Sequence, residues 1–340
     1  MKYLYTLTST QNDNYYEQFL LSVISLKQFT TNAEIVLLCD SQTKKTLSGK
    51  RSEYEKYVSE IITADAPASF SQIEVSRWIK TSMRRLVTGD FLFIDCDTII
   101  TDDLSSITEL EIIFAACLDK HALIDRHHKK NMLIEDDKRL GFCSYKSNYH
   151  INSGVIYCKD NEDTRKLFCR WHELWLYSKS KNILRDQPSF NMAIYENPSL
   201  FTELSGIWNC QISYNSLPYL AEAKIIHYFA SNMYLNQTPF LLADETILNQ
   251  IKLTGQIPNN ALELLKKPRS AFTPDSQIIA GSDMLHVLNS NLFQFIIFLK
   301  KKIPSLFNFF DKLFYLFKKP AKNIVKKYNN KKEGKFKLYN

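Results

Sequence analysis

Only 8 glycines and 10 prolines interrupt this chain of 340 residues. So little punctuation, with 45% hydrophobic and 13% aromatic residues, argues against a disordered body. The seven cysteines, at positions 39, 96, 117, 143, 158, 169 and 210, contain no Cys-x-x-Cys pair. An odd number without paired spacing speaks against a disulfide framework or zinc knuckle, and fits reduced, mostly buried thiols. Met1 to Thr8 lacks the apolar core of a signal peptide and reads as a strand. No run approaches the roughly 18 apolar residues of a spanning helix. The chain is therefore expected in the cytoplasm unless something anchors it.

Acidic residues are scarce only at one end. Residues 300–340 hold 13 Lys and two acids, whereas the remainder carries 30 basic and 34 acidic groups. The formal charge of +7 thus hides a mildly acidic body and a basic tail, and the body is not expected to bind nucleic acid. In the tail, Leu306, Phe309, Phe310, Leu313, Phe314 and Phe317 share one helical face. Before them, Phe293 to Leu299 runs into Lys300-Lys301-Lys302, with Pro304 between the two pieces. An apolar face with clustered Lys is the pattern of a helix lying on an anionic membrane surface. A helix pair packed on the body, or a dimer contact, is the alternative, and RNA binding a third option that the helical spacing of Tyr and Phe fits less well than a lipid face.

What is plentiful is α/β alternation. Residues 2–9 alternate as a strand does, 14–29 show helical spacing, and Glu34 to Cys39 is a buried strand. A polar helix near 41–57, a strand at 60–63 and a helix at 73–87 follow. Phe91-Leu92-Phe93-Ile94 is a second buried strand running into Asp95. Further strands are expected at 112–118, 153–158 and 224–228, and helices at 163–177 and 187–195. This order predicts a largely parallel, doubly wound sheet, with ligands at the carboxyl ends of its strands. The polar stretch 119–150, with His121, His127, His128 and His150, reads as an insertion or lid with solvated histidines. The catalytic body is expected to span 1–285 and the helical tail 286–340.

Asp95-Cys96-Asp97 places two carboxylates at the end of a buried strand, projecting to one side as alternate residues of an extended chain do. That suits Mg²⁺ or Mn²⁺, which take oxygen ligands together with nucleotide phosphates. Such an ion stabilises charge on a diphosphate leaving group. A simple turn cap is the plainer explanation. Asp95-Cys-Asp-Thr98 also matches, locally, the DxDxT of haloacid-dehalogenase-like phosphatases, in which Asp95 would be the nucleophile. That motif normally follows the first strand, whereas some ninety residues precede it here. Ile278 to Asp283 is a poor match to the later acidic pair those enzymes need. A non-catalytic scaffold that binds membrane through its tail is the third alternative.

The flanking segments sharpen the reading. Tyr5-Thr6-Leu7-Thr8 and Asp13-Asn14-Tyr15, Ser76-Arg77-Trp78-Ile79-Lys80, the Asp-x-Asp, Asn152-Ser153-Gly154, Asp186-Gln187, Trp208-Asn209-Cys210-Gln211 and Ile226-His227 stand in an order that resembles bacterial GT-A glycosyltransferases of family 8. The resemblance covers about residues 1–230. It implies a Rossmann-like GT-A fold and transfer of a hexose, with retention, from a nucleotide sugar, typically UDP-linked. The acceptor would be a glycan or lipid-linked oligosaccharide of a bacterial surface polysaccharide. By the same resemblance, Asp95, Asp97 and His227 hold Mn²⁺ or Mg²⁺. Thr6, Thr8, Asp13, Tyr15, Arg77, Lys80, Asp95, Cys96, Asn152, Ser153, Asn209 and Gln211 bind the donor, and Asp186 and Gln187 serve the transfer itself. One departure stands out. His227 is followed by Tyr228-Phe229-Ala230 rather than the family's Gly/Lys/Pro/Trp segment, so diphosphate contact is expected to fall to Arg77, Lys80 or a mobile basic residue.

Overall fold

Four parallel strands open the sheet. These are β1 (Lys2–Leu7), β2 (Glu34–Cys39), β3 (Glu60–Thr63) and β4 (Phe91–Ile94), with β1 between β2 and β4 and β3 outside β2. The computed structural model describes residues 1–212, 215–228, 240–272, 287 and 290–316. Beyond β4 come β7 (Ile151–Cys158), β6 (Phe114–Leu118) and β8 (Phe201–Glu203), giving the order β3-β2-β1-β4-β7-β6-β8. β7 runs antiparallel to both β4 and β6, so the sheet is mixed and mostly parallel.

Strand parity decides what each face buries, because successive side chains point to opposite sides. Leu4, Val36, Leu38, Phe91 and Phe93 pack with Ile79 and Met83 of α3 (Gln72–Leu86) and with Trp171 and Phe190. Tyr3, Tyr5, Leu7, Ile35, Leu37, Leu92 and Ile94 join the other core with α1 (Tyr15–Phe29). α1 is buried nearly all round, which is why its sequence shows so weak a polar face. The same core includes Ile99, Ile100, Ile225 and Ile226. They belong to a second sheet that the linear pattern did not announce, with β10 (Ile225–His227) between β5 (Thr98–Ile100) and β9 (Cys210–Gln211).

Two expectations need correction. The helix near 41–57 is only α2 (Ser41–Thr46), capped by Asp40 and followed by two 3₁₀ turns. The stretch 119–150, in which no helix was expected, contains α4 (Lys130–Leu140), which buries Leu133 and Leu140 and ends at Gly141. The helices expected at 163–177 and 187–195 are α5 (Glu162–Ser180) and α6 (Gln187–Glu196). A short α7 (Leu217–Leu220), α8 (Glu245–Thr254) and α9 (Asn259–Lys266) complete the body.

The chain divides into two compact units, Met1–Ala280 and Gly281–Asn340. In the second, α10 (Asn291–Lys302) ends on Lys300-Lys301-Lys302, and α11 covers 304–316. Leu292, Phe295, Phe298, Phe309, Phe314 and Leu316 are exposed. No helix among the described residues is long and apolar enough to cross a membrane. The phosphatase-like segment 278–283, the expected boundary at 285, and the tail from Phe317 onward lie outside the described residues.

Candidate active site

Asp95 stands where β4 leaves the main sheet, and β5, three residues on, joins the second one. The two carboxylates therefore converge through a bend and not, as the strand argument held, along an extended segment. Hydrogen bonds fix that bend from every side. The Asp95 N–H donates to the Gly154 carbonyl at 2.8 Å, and Tyr228 N–H to the Asp97 carbonyl at 3.1 Å. Thr98 Oγ1 donates to the Asp95 carbonyl at 2.8 Å. Between the acids, the Cys96 thiol donates to the Thr6 carbonyl at 3.3 Å, tying the bend to β1. The Cys96 side chain is thereby turned toward the core, where burial pushes its thiol well up and keeps it protonated.

β10 brings His227 to the same place, although 130 positions separate it from Asp97 in the chain. His227 Nε2 lies 3.2 Å from Asp97 Oδ1. One ligand atom from each of Asp95, Asp97 and His227 falls within 4.8 Å of the others. Burial raises the Asp95 carboxyl, with Lys80 opposing and Asp97 adding to the rise. Asp97 goes the other way: burial raises it, but His227 beside it outweighs burial and holds it at about 2. Two oxygen donors and one imidazole make a donor set for a divalent cation. Gly154 makes room for it. A Cβ there would stand 2.4 Å from His227 Cε1 and 2.9 Å from Nδ1. The absence of a side chain at Gly154 thus admits this imidazole ring.

α3 supplies the cations. Its capping box, Ser71 with Glu74, sets where the helix starts. Arg77 and Lys80 then share the face turned to the site. Lys80 is only 3% exposed. Its Nζ lies 3.0 and 3.1 Å from the two oxygens of Asp95 and 3.7 Å from Asp186 Oδ2. Arg77 Nε is 3.2 Å from Asp186 Oδ1, and Ser153 Oγ donates to Asp186 Oδ2 at 2.7 Å. Burial raises the Asp186 carboxyl, yet Lys80 and Arg77 prevail and hold it at about 2. Asp186 occupies the N-cap position of α6 without a side-chain cap bond. Its carboxylate is engaged by ion pairs instead. Gln187, at the first turn, donates from Nε2 to the Ile151 carbonyl at 3.3 Å.

Several residues expected to face the donor are spent on one another. Asn209 and Gln211 are fully buried, and Asn152 and Ser153 nearly so. Gln211 pins the end of β6: its Oε1 accepts from Lys120 N–H at 2.8 Å and its Nε2 donates to the Leu118 carbonyl at 2.7 Å. Asp13 organises its own loop, accepting from Ser9 Oγ at 2.6 Å, Thr10 N–H at 2.7 Å and Gln72 Nε2 at 3.2 Å. Thr6 and Thr8 are half-buried at the end of β1, and Tyr15 is 50% exposed at the start of α1.

Other residues of the site escaped the sequence reading. Asp119 is buried, accepts from Asn152 Nδ2 at 2.8 Å, and pairs with His127 Nε2 at 2.9 Å. His127 and His150 are 4% and 5% exposed, so the expected solvated histidine loop is in fact packed inside. Lys120 and His121 both adopt positive φ, at 53° and 52°, a strained conformation that gathers at functional sites. Burial lowers the Lys120 ammonium to about 8, with Asp119 and then Asp97 among the charges that oppose the fall. A single polar aspartate after an apolar strand, β6, was the available signal.

The mostly parallel sheet, the acidic bend at a strand's carboxyl end and the second small sheet together define a GT-A fold. Residues 8–233 match the family model described as glycosyl transferase family 8. The chain belongs to glycosyltransferase family 8, whose members are retaining hexosyltransferases that draw on a nucleotide sugar. This sets aside the phosphatase and scaffold alternatives. Among solved structures, the galactosyltransferase LgtC, in complex with donor and acceptor sugar analogs, is 11% identical with a TM-score of 0.51. That match covers 77% of this chain and 99% of LgtC. The apo bifunctional glycosyltransferase WbbM is 18% identical with a TM-score of 0.52, over 78% of this chain and 51% of WbbM. At these identities the likeness is one of fold. No curated protein matches by sequence.

Proposed function

We propose that this enzyme transfers a hexose from a UDP-sugar to a glycan or lipid-linked acceptor in the synthesis of a bacterial surface polysaccharide. Asp95, Asp97 and His227 would hold Mn²⁺ or Mg²⁺. The observation that carries this reading is the convergence of these three side chains from two sheets. A bound divalent cation offsets the negative charge that develops on the departing diphosphate. Arg77, on the exposed side of the Asp186 pair, adds positive charge beside the diphosphate. Lys80 is too deeply enclosed for that and instead neutralises Asp95 and Asp186. Asp186 and Gln187 orient the donor sugar, while Asn152 and Asn209 act through His227. Thr6, Thr8 and Tyr15 border the nucleotide side of the cleft.

The test is a thermal-shift series with UDP-, GDP- and dTDP-sugars, with Mn²⁺ or with EDTA. A UDP-sugar with Mn²⁺ at about a hundred times its Kd should stabilise by about 2.7 kcal/mol. EDTA should remove that shift. Equal shifts with all three nucleotides, or a shift indifferent to EDTA, would contradict the donor and metal assignments.

The tail carries a second element of the proposal, peripheral attachment to an anionic membrane. The observation behind it is the row of exposed Phe and Leu in α10 and α11 beside Lys300-Lys301-Lys302. Each Lys near such a surface contributes about 1 kcal/mol. Full-length protein should sediment with phosphatidylserine vesicles at low salt and be released as salt rises. A chain ending at residue 285 should stay in the supernatant yet keep donor hydrolysis, since every proposed active-site residue precedes 229. Vesicle binding by the shortened chain would overturn the idea.

A further inference from the structure

A continuous row of buried side-chain hydrogen bonds leads away from His227. His227 Nδ1 meets Asn209 Oδ1 at 3.0 Å. Asn209 Nδ2 donates to Asn152 Oδ1 at 2.9 Å, and Asn152 Nδ2 donates to Asp119 Oδ1 at 2.8 Å. On the far side, Asp119 Oδ2 meets His127 Nε2 at 2.9 Å, and Lys129 N–H donates to His127 Nδ1 at 3.0 Å. All five side chains are between 0% and 8% exposed.

The direction of every bond follows from the donors that cannot reverse. A backbone N–H only donates, so the Lys129 amide makes His127 Nδ1 an acceptor and leaves the His127 proton on Nε2, pointing to Asp119. Gly154 N–H donates to Asn152 Oδ1 at 2.9 Å, which fixes that amide's orientation. Asn152 Nδ2 then faces Asp119, an ionised carboxylate that only accepts. Asn209 must offer Nδ2 to Asn152 and present Oδ1 to His227. His227 Nδ1 therefore carries a proton, so Nε2, 3.2 Å from Asp97 Oδ1, is the nitrogen whose lone pair a cation would take.

We infer that Asp119, through Asn152 and Asn209, is a positioning residue that sets the tautomer and ring orientation of His227 as a ligand for the divalent cation. This rests on the metal reading given above. The arrangement extends by two amides the usual pairing of a ligand histidine with a carboxylate, and it leaves the negative charge at the far end, where it polarises each N–H in turn. Gly154 takes part twice, giving the ring its space and holding the Asn152 amide.

The test uses the full-length protein and Mn²⁺ alone, titrated by electron paramagnetic resonance without nucleotide. Asn209→Leu should weaken Mn²⁺ binding by about 10- to 100-fold. Asp119→Asn, which keeps volume and an acceptor oxygen, should weaken it by several-fold. The double variant should bind no worse than Asn209→Leu, because the row is already cut nearer the histidine. Multiplied losses in the double variant, or an Asp119→Asn affinity equal to wild type, would overturn the inference. If Asn209→Leu does not fold, Asp119→Asn decides alone. Asp97→Ala serves as the control for the metal reading itself, which fails if wild type binds no Mn²⁺. The relay is still judged then by the ¹⁵N shifts of His227 in metal-free protein, read where those shifts show a neutral ring. A proton on Nδ1 supports it and a proton on Nε2 rejects it.

Discussion

Asp97→Ala is expected to reduce sugar transfer and donor hydrolysis by about a thousandfold or more. The physical reason is the loss of a metal ligand whose ion supplies several kcal/mol of charge stabilisation, at about 1.4 kcal/mol per tenfold in rate. The fold should survive. Asp97 lies in a bend, its side chain is 25% exposed, and the backbone contacts of the bend run through its carbonyl and not its carboxylate. The measurement is UDP release from the donor with and without acceptor, beside a thermal melt of the same preparation. Activity of Asp97→Ala near wild type, or wild-type activity undiminished in EDTA, would remove the metal from the mechanism.

Lys80→Met is expected to be the most destabilising change in the site. The Lys80 ammonium lies between two carboxylates; its side chain is 4% exposed and that of Asp186 8%. Deleting one partner of a buried pair leaves uncompensated charge and costs about 3–5 kcal/mol. The pH dependence should identify the cause. In wild type, Asp186 is held at about 2, below its unfolded value, so its contribution is present above about pH 4 and is lost as pH falls toward 2. Without Lys80 the carboxyls of Asp95 and Asp186 rise, and protonation relieves their burial. The stability gap between variant and wild type should therefore narrow as pH falls from about 7 to about 4. Urea denaturation across that range measures it. A gap that stays constant would mean the loss is one of packing, including the lysine's contact with the Phe93 ring at 5.0 Å, and not of charge.

These two residues also show how far the chain could be read directly. Asp97 was visible because an uninterrupted apolar strand, Phe91–Ile94, ran into two acids; a buried strand and its end are local features. Lys80 was visible as a cation on the helix before that strand, but its depth was not. Burial of a lysine depends on which carboxylates the fold brings to it, and Asp186 is over a hundred residues away in the chain. Asp119 and His127 were passed over for the same reason, since a polar run without periodicity looks solvated until its partners are known.

The sequence by itself determined the α/β alternation, the strand that delivers Asp95, the order of the family's motifs, and the candidate ligands Asp95, Asp97 and His227. Each rests on side-chain periodicity or on a short run of neighbours. Tertiary structure alone decided that β7 runs antiparallel and that a second sheet carries β5 and β10. It also decided that Gly154 yields its space to His227, and that Asn152 and Asn209 link that histidine to Asp119. Strand direction, close approach and hydrogen-bond polarity arise between segments distant along the chain, where burial sets the cost of every unpaired group, and so they appear only once the segments meet.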